Sequence, residues 1–246
     1  MNRSTLNRLV ETLARPYPHG PLIVVVWLYI HVYFFIGRPG PGPPFYNPEI
    51  ALDRTVQLEP SWILVYASLY VFVLLPLLVV RQDDLFRRTL LAYLMVMTVA
   101  YLCFLINPTA SPRPASVAGN DYFAWGLRLN YSLDVPYNCF PSLHVSHSFV
   151  SALACYRVHR GIGIAAVLWA TLIGVSTVYT KQHYIVDAIA GMLVALVAYF
   201  VLMRHTPREV IPAIDTRLAP ARALNVIWIL AIILACTWVA YQMVGP

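Results

Sequence analysis

The stretch NCFPSLHVSH, residues 138–147, decides how this chain is organised. It stands at the edge of a long apolar run, where a chain crossing a membrane leaves hydrocarbon for water. A second stretch, KQHYIVD at residues 181–187, stands at a similar edge further along. Ionisable side chains are rare in membrane segments and mark functional sites. We therefore expect the two stretches to meet and to form one active site.

The composition places the chain in a membrane. It has 246 residues, of which 59% are hydrophobic and 11% charged, and its mean hydropathy is +0.65. Soluble domains are roughly half apolar and about a quarter charged. Backbone groups in lipid must be hydrogen-bonded within their own segment, so long apolar runs are helices rather than strands. The predicted fold class is an all-α, polytopic membrane helix bundle.

Seven apolar runs approach the ~20 residues that a span needs. They cover residues 21–37, 61–80, 90–107, 141–156, 162–180, 184–203 and 223–244. The fourth run is short and rich in serine and histidine, so we expect a helix buried inside the bundle. The first run follows basic residues, as in a signal peptide, but no small-residue cleavage pattern ends it, so we predict an uncleaved helix.

The basic residues are distributed unevenly over this topology. Most of the 17 lysines and arginines fall on one side, and the other side keeps only Arg38, Arg54, Arg113, Arg128 and Lys181. The positive-inside rule therefore places the N-terminus in the cytoplasm. This topology explains the net charge of +6, and no basic stripe interleaved with aromatics indicates nucleic acid as a partner.

The chain divides into three predicted parts. A cytoplasmic tail at residues 1–20 precedes a catalytic membrane core at 21–204, and a cytoplasmic linker with a C-terminal transmembrane helix follows at 205–246. Two outer loops, 38–60 and 108–140, belong to the core. The first loop is rich in proline and either packs over the outer mouth of the bundle or is a stiff spacer. The second contains an aromatic segment that predicts a short interfacial helix.

Chemistry-bearing residues converge on the outer side of this topology, namely Arg113, His144, His183 and Asp187. His183 and Asp187 share a helix face at i and i+4. That spacing lets the carboxylate accept from one imidazole nitrogen and leaves the other as a nucleophile. His144 lies just inside a helix start, which favours an anion, and Pro141 suits the opening position. The arrangement predicts phosphate transfer.

Each residue of this group has an expected role. His183 attacks phosphorus, Asp187 orients the imidazole, and His144 protonates the leaving oxygen and later takes a proton from the acceptor. Arg113 and Lys181 neutralise the phosphate oxygens. The reaction is then a two-step displacement through a phosphohistidine.

Other side chains near the motifs each allow two interpretations. Ser142 either donates to the phosphate or caps its helix. His147, one turn beyond the motif histidine, either supports the site from behind or packs in the core. Lys181 either binds phosphate or anchors the chain at the interface. Cys103 and Cys139 both lie toward the outer side and either pair or remain free, since spacing fixes no connectivity.

The motifs carry a family resemblance. Pro141-Ser142-Leu143-His144 resembles the Pro-Ser-x-His motif of the type-two phosphatidic acid phosphatase (PAP-type) superfamily. His183-x-x-x-Asp187 resembles its His-x-x-x-Asp motif, and Arg113-Pro114 the end of its first motif. The similarity covers roughly residues 60–204. It implies a six-helix catalytic core, to which this chain adds a seventh helix, and a metal-independent reaction on a lipid-linked phosphate.

Two departures from the common phosphatase pattern concern cations. Ile106 stands where the family has a lysine seven residues before the motif-one arginine, and Thr177 stands where it has an arginine. Lys181 would then replace one of them. In these features the chain looks more like the branch of inositol phosphorylceramide synthases, relatives of sphingomyelin synthases. That branch exchanges head groups on phosphodiesters, which carry one charge less, so hydrolysis and transfer both stay open.

Two other classes compete with this interpretation. A metal-dependent membrane hydrolase would bind zinc through His144, His147, His183 and Asp187, whereas the phosphohistidine mechanism needs no metal and no cofactor. A proton-coupled carrier would use the same residues as a relay, but it predicts them at mid-membrane rather than at helix edges. The expected partners are a lipid phosphate or phospholipid substrate and the surrounding lipids. We expect a bacterial inner membrane protein whose active site faces the periplasm or the outside.

Overall fold

The computed structural model of the protein describes residues 19–36, 45–208 and 211–244. The predicted tail at residues 1–20 lies outside this part except for its last two residues. The proline-rich start of the first outer loop, up to residue 44, also lies outside it. Within the described residues, regular structure is helical and strand pairing is limited to isolated bridges, which confirms the all-α fold class.

The helices are numbered here in chain order. The α-helices are α1 (Gly20–Ile36), α2 (Ile63–Ala67), α3 (Leu69–Phe72), α4 (Leu75–Val79), α5 (Asp83–Ile106), α6 (Tyr122–Leu133), α7 (Leu143–Val158), α8 (Arg160–Tyr179), α9 (Ile185–Ala198) and α10 (Ala213–Val244). A 3₁₀ turn at Pro60–Trp62 precedes α2, and a π-helical turn at Tyr199–Met203 extends α9.

The described part of the chain contains four helical segments that are long and apolar enough to cross a membrane: α5, α8, Ile185–Met203 and α10. The helices α1 and Pro60–Phe72 are apolar but shorter. Most residues of α7 are buried by neighbouring helices, as predicted for the fourth run. These features fit an integral membrane protein built as a polytopic helix bundle.

The second predicted span, residues 61–80, is broken into α2, α3 and α4. At the first break, the Ser68 hydroxyl donates to the Val65 carbonyl and accepts from the Trp169 indole N–H. At the second, Pro76 has no N–H for the helix ladder, and the nearby Val73 carbonyl accepts from the Tyr93 hydroxyl. Hydropathy alone did not reveal these breaks, because the segment is apolar throughout.

The last helix begins earlier than predicted. The sequence placed its start at residue 223, after a linker, but α10 begins at Ala213 and includes Pro220. Asp215 and Arg222 lie inside this helix and pair with each other at 3.0 Å. The prediction followed hydropathy, and the polar residues of this first part masked its helical structure.

The outer loops are tied together over one end of the bundle. The Tyr46 N–H donates to the Pro108 carbonyl at 2.9 Å, and the Glu59 N–H donates to the Tyr179 carbonyl at 3.0 Å. Thr109 forms isolated bridges with both Tyr46 and Asn138. The described part of the first loop therefore packs over this end of the bundle and is not a free spacer. The four cysteines are all free, so Cys103 and Cys139 do not pair.

Candidate active site

The first motif is held by a helix cap. Helix α7 begins at Leu143, and the side chain of Ser142 accepts a hydrogen bond from the Val145 N–H. Pro141 therefore does not open the helix, contrary to the prediction; it stands before the cap, after a cis peptide bond. A serine cap stabilises a helix start because its oxygen satisfies an otherwise unpaired N–H. His144 lies in the first turn, as predicted.

The second motif is held by a similar device at the start of α9. The Asp187 carboxylate accepts from the N–H of Tyr184 at 2.9 Å. The N–H groups of Gln182 and His183 both donate to the Thr177 carbonyl at the end of α8, at 2.9 and 3.1 Å. Lys181 takes a positive φ of 54° in this tight connection. The backbone thus fixes where His183 emerges.

The two helix starts touch through their backbones. The Ser142 N–H donates to the Asp187 carbonyl at 3.0 Å, and the Ser146 hydroxyl donates to the Gly191 carbonyl at 2.9 Å. A Cβ on Gly191 would lie only 2.4 Å from the Ser142 carbonyl oxygen. Gly191, which had not been singled out in the sequence, therefore permits the approach through which the two stretches meet.

Three predicted site residues form a continuous row. His183 Nδ1 lies 3.5 Å from an Asp187 carboxylate oxygen, and His183 Nε2 shares a hydrogen bond of 3.0 Å with His144 Nδ1. His183 is only 3% exposed and Asp187 is fully buried. This order leaves His183 Nε2, the nitrogen remote from the carboxylate, facing His144.

Arg113 joins the site through an acidic partner. Its guanidinium donates to the Asp134 carboxylate at 3.2 Å and to the Asp134 carbonyl at 3.0 Å. It also stacks over the Tyr131 ring, 4.7 Å from the ring centre, and donates to Gln182 at 3.0 Å. The Asp134 carboxylate in turn lies 4.0 Å from His144 Nε2. Arg113 therefore reaches the site, but as half of an ion pair.

Three further residues that surround this row were not predicted from the sequence. Asp134 is one, and the Tyr33 hydroxyl donates to it at 2.7 Å. The Tyr66 hydroxyl shares a hydrogen bond of 2.8 Å with His144 Nε2. Asp134 carried a usable signal, since acidic residues are rare in this chain and it precedes the first motif. The tyrosines carried none, because they lie in apolar runs without a motif.

The other predicted phosphate ligands are engaged elsewhere. The Lys181 ammonium donates to the Val56 carbonyl at 2.6 Å and contacts the Asp53 carbonyl at 3.5 Å. It thereby fastens the first outer loop to the bundle. Ser142 is fully buried and caps α7. Of their two interpretations, these contacts favour anchoring for Lys181 and capping for Ser142.

The two positions that lack a family cation have different surroundings. Ile106 is 81% exposed at the end of α5, whereas Thr177 is fully buried and its hydroxyl donates to the Gly174 carbonyl. Neither side chain carries a charge. The described residues around the two histidines therefore contain Arg113 as the nearby permanent cation, and Asp134 balances it.

The residues that could hold a metal differ from the predicted zinc set. Among the described residues, Cys139, His183 and Asp187 offer ligand atoms within 4.8 Å of one another, while His144 and His147 are not in this group. Zinc binds the thiolate rather than the thiol. Burial, together with the Asp187 carboxylate, raises the pKa of the Cys139 thiol well above its ordinary range. The cluster shares only His183 and Asp187 with the zinc set considered from the sequence, so that set is not brought together.

His147 lies one turn beyond His144 on α7. Its ring packs edge-on against the Tyr93 ring, 5.4 Å between centres. It does not touch His183 or Asp187 through any hydrogen bond in the described part of the chain. Of its two interpretations, the contact with Tyr93 favours packing over polar support of the site.

The stretch of chain that contains these site residues also matches a known family. A family model described as the PAP2 superfamily matches residues 49–201. The matched region is more than half of the chain and contains Arg113, His144, His183 and Asp187. It agrees closely with the range over which the motifs resembled type-two phosphatidic acid phosphatases.

A curated relative supports this match. A PA-phosphatase related-family protein of Dictyostelium discoideum is 23% identical over 138 residues, which cover 52% of this chain and 25% of the relative. The chain thus spans about a quarter of that relative's length. No solved structure matches.

Proposed function

The chain belongs to the PAP2 superfamily, and on that premise we propose that it is a membrane enzyme that transfers the phosphate group of a lipid through His183. Membership supports a phosphatase-type function on a lipid phosphate. The observation that carries the residue assignment is the buried row from Asp187 through His183 to His144, with contacts of 3.5 and 3.0 Å.

In the first step, His183 Nε2 forms a bond to phosphorus and the bond from phosphorus to the leaving oxygen breaks. His144 gives that oxygen a proton, and Asp187 stabilises the imidazole as it becomes positive. In the second step, an acceptor hydroxyl loses its proton to His144 and attacks phosphorus, which releases His183. The substrate phosphate has to replace the hydrogen bond that the two imidazoles share before attack begins.

Arg113 is the proposed phosphate ligand. Its guanidinium lies at the edge of the row and donates to Tyr131, Gln182 and Asp134, so a phosphate oxygen has to displace one of these acceptors. Lys181 and Ser142 are left out of this role because their donors and acceptors are committed to the first outer loop and to the α7 cap. No cofactor or metal enters the mechanism.

The charge balance favours head-group transfer as a second candidate. Arg113 is paired with Asp134 at 3.2 Å, with side chains 11% and 10% exposed. A phosphate monoester would bring two negative charges next to this carboxylate, whereas a phosphodiester brings one. Repulsion inside a low-dielectric site is strong. The alternative reaction moves the head group of a phosphodiester lipid to a hydroxyl acceptor, as the synthase-like branch does.

The same topology suggests a location. We infer that the site faces the periplasm or the outside of a bacterial inner membrane, since the arginine-rich connections near residues 81–88, 157–160 and 204–208 lie at the opposite end of the helices. The catalytic unit is the core at residues 21–204. The site residues stand at helix starts, which fits an enzyme at the interface better than a mid-membrane proton carrier.

The test is an assay of purified protein in detergent against lipid phosphate monoesters and phosphodiesters, with and without a chelator. Free phosphate and new lipids are followed by mass spectrometry. We expect chelator-insensitive turnover that His183→Ala abolishes without loss of folding. Released phosphate identifies a phosphatase and an exchanged head group identifies a transferase. Loss of activity on chelation contradicts the mechanism, and turnover by a folded His183→Ala contradicts the nucleophile.

A further inference from the structure

A long apolar cavity begins at the catalytic row. Its volume is about 530 Å³ and it lies between α1, the segment α3–α4, α5 and α7. His144 and Asp134 line one end, and Phe86, in the first turn of α5, lines the other. Cavities of this size hold small organic ligands. Apart from the site residues and a few hydroxyls, its walls are aliphatic and aromatic.

The depth of the cavity matches one leaflet of a bilayer. Its wall on α5 runs from Phe86 to Met97, and its wall on α1 runs from Ile23 to Phe34. At a rise of 1.5 Å per residue, each wall is about 16 Å long, which is roughly half of the ~30 Å hydrocarbon thickness. A single lipid tail that starts at the site can therefore lie in it.

The cavity is open toward the side of the bundle. Trp27, Tyr70 and Leu133 line it, yet each is more than half exposed on the outside. An opening with apolar edges faces lipid rather than water in a membrane-embedded helix bundle. A substrate tail can thus enter laterally, while its phosphate stays at the outer end beside His144.

One side chain in the cavity is unusual. His147 is only 9% exposed and lines the cavity one turn below His144. Within residues 19–36, 45–208 and 211–244, its ring nitrogens have no hydrogen-bond partner. The Tyr93 hydroxyl beside it is already bound to Ser151 and to the Val73 carbonyl. The ring borders the cavity, where a ligand atom can bond to its nitrogens. An unpaired polar group in an apolar environment costs on the order of 1–3 kcal/mol, so a ligand with a hydrogen-bonding atom at this depth is favoured.

We propose that the cavity binds the tail of the substrate lipid and that His147 hydrogen-bonds a carbonyl in the linkage between that tail and the phosphate. This inference rests on the proposed function and names its substrate class. Residues at i and i+3 on a helix are about 5–6 Å apart. That separation matches a phosphate and an ester or amide carbonyl a few bonds away. Lipid phosphates with a carbonyl-bearing linkage are therefore preferred over polyprenyl phosphates, which have none.

The experiment compares a diacyl phosphatidic acid with its dialkyl ether analogue, which keeps the phosphate and tails but lacks the carbonyls. Wild-type protein and His147→Leu are assayed on both, with polyprenyl phosphate as a third lipid. We expect His147→Leu to lower kcat/KM on the ester lipid about tenfold, as loss of one hydrogen bond predicts. Turnover of the ether and polyprenyl lipids should change less than twofold. His147→Gln, which keeps a donor and an acceptor, should restore the ester preference.

A binding readout separates this inference from the proposed function. In the inactive His183→Ala background, the ester lipid should raise Tm more than the ether lipid, and adding His147→Leu should remove the difference. Equal effects of His147→Leu on ester and ether lipids, in turnover and in Tm, overturn the inference alone. A wild-type protein that turns over neither these monoesters nor the corresponding phosphodiester lipids, but still shows the Tm difference, contradicts the proposed function and leaves this inference standing.

The cavity itself is tested by filling it. Val26 lines the cavity from α1, and Val26→Trp should shorten the space for a tail. We expect kcat/KM to fall at least fivefold for dioleoyl lipids and to stay within twofold for dihexanoyl lipids. Ile227→Trp, on the exposed surface of α10, is the matched control. A loss that is equal for both tail lengths shows that the tail lies elsewhere.

Discussion

The two ends of this helix bundle both contain arginines, but the arginines have different partners. At the outer end, Arg113 pairs with Asp134 inside the protein, 4.0 Å from a catalytic histidine. At the inner end, Arg88 pairs with Asp84 on its own helix at 2.6 Å and donates to the Leu202 carbonyl at 3.0 Å, and Arg157 donates to the Thr206 carbonyl. The outer arginine belongs to a charge network around reacting groups, whereas the inner ones fasten helix ends to each other.

The outer arginine is therefore expected to affect the reaction, whereas the inner arginines are expected to affect folding and membrane topology. A charged hydrogen bond to a helix-end carbonyl stabilises the fold and contributes to sidedness. A buried ion pair next to an imidazole sets the charge that a substrate meets. Changes at the outer end should therefore reduce turnover more than stability, and changes at the inner end should do the reverse.

The strongest test of this contrast removes the histidines. His183→Ala and His144→Ala should each lower turnover of the preferred lipid by about 10³-fold or more, because a nucleophile or a general acid-base group is lost. The lipid assay and a thermal melt in detergent give the two readouts. A small loss of turnover with unchanged folding would remove the histidines from the mechanism.

The next test moves the two motifs apart without changing their side chains. A methyl group on Gly191 would clash with the Ser142 carbonyl at 2.4 Å, so Gly191→Ala should push α9 away from α7. We expect turnover to fall by about 10²-fold, since misplacement by 1 Å can cost that much.

Gly174→Ala is its matched control. That methyl group would meet only the Val145 side chain, at an ordinary 3.7 Å, so turnover should stay within twofold. Equal effects of the two alanines would mean that the close approach of α7 and α9 does not position the site.

A smaller effect is expected from the acidic partner of Arg113. Asp134→Asn keeps the shape of the side chain but leaves the guanidinium without its counter-charge. Turnover of phosphodiester lipids should fall about tenfold, and the ratio of monoester to phosphodiester turnover should rise. Measuring both lipids with one protein preparation gives this ratio directly. Asp121→Asn, at the cap of α6, should leave the ratio unchanged, and a ratio unaffected by Asp134→Asn contradicts the charge argument.

The smallest effect on activity is expected at the inner end. Arg157→Met removes the hydrogen bond to the Thr206 carbonyl and should lower stability by about 1.5–3 kcal/mol, the value of a charged hydrogen bond. Turnover at a temperature where the variant is folded should stay within twofold. Thermal melts and the lipid assay are compared on the same sample. A large loss of turnover without loss of stability would erase the contrast between the two ends.

Much of the site could be read from local patterns. His144, His183 and Asp187 lie in short motifs, and each motif forms the start of one helix. The spacing of the residues in the sequence therefore predicts how their side chains are placed. Arg113 was found through its position in the second outer loop and through its match to the end of the family's first motif. These residues meet because the topology places α7, α9 and the second outer loop at one end, which hydropathy and charge distribution already indicated.

The remaining parts depend on contacts that no local pattern encodes. Tyr33 and Tyr66 reach the site only through packing between distant segments. Lys181 looked like a phosphate ligand in the sequence, but the first outer loop folds back and takes its ammonium. Likewise, the breaks between α2, α3 and α4 follow from side-chain hydrogen bonds and one proline, so the apolar run gave no sign of them.

The central claim is that His183 carries phosphorus during turnover. The most direct measurement quenches the reaction of a lipid with radiolabelled phosphorus within milliseconds and locates the label on the protein by mass spectrometry. The account predicts an acid-labile, alkali-stable label on His183 that disappears when an acceptor is added and is absent from His183→Ala. Turnover without any labelled His183, or label that persists in a folded His183→Ala, would contradict it.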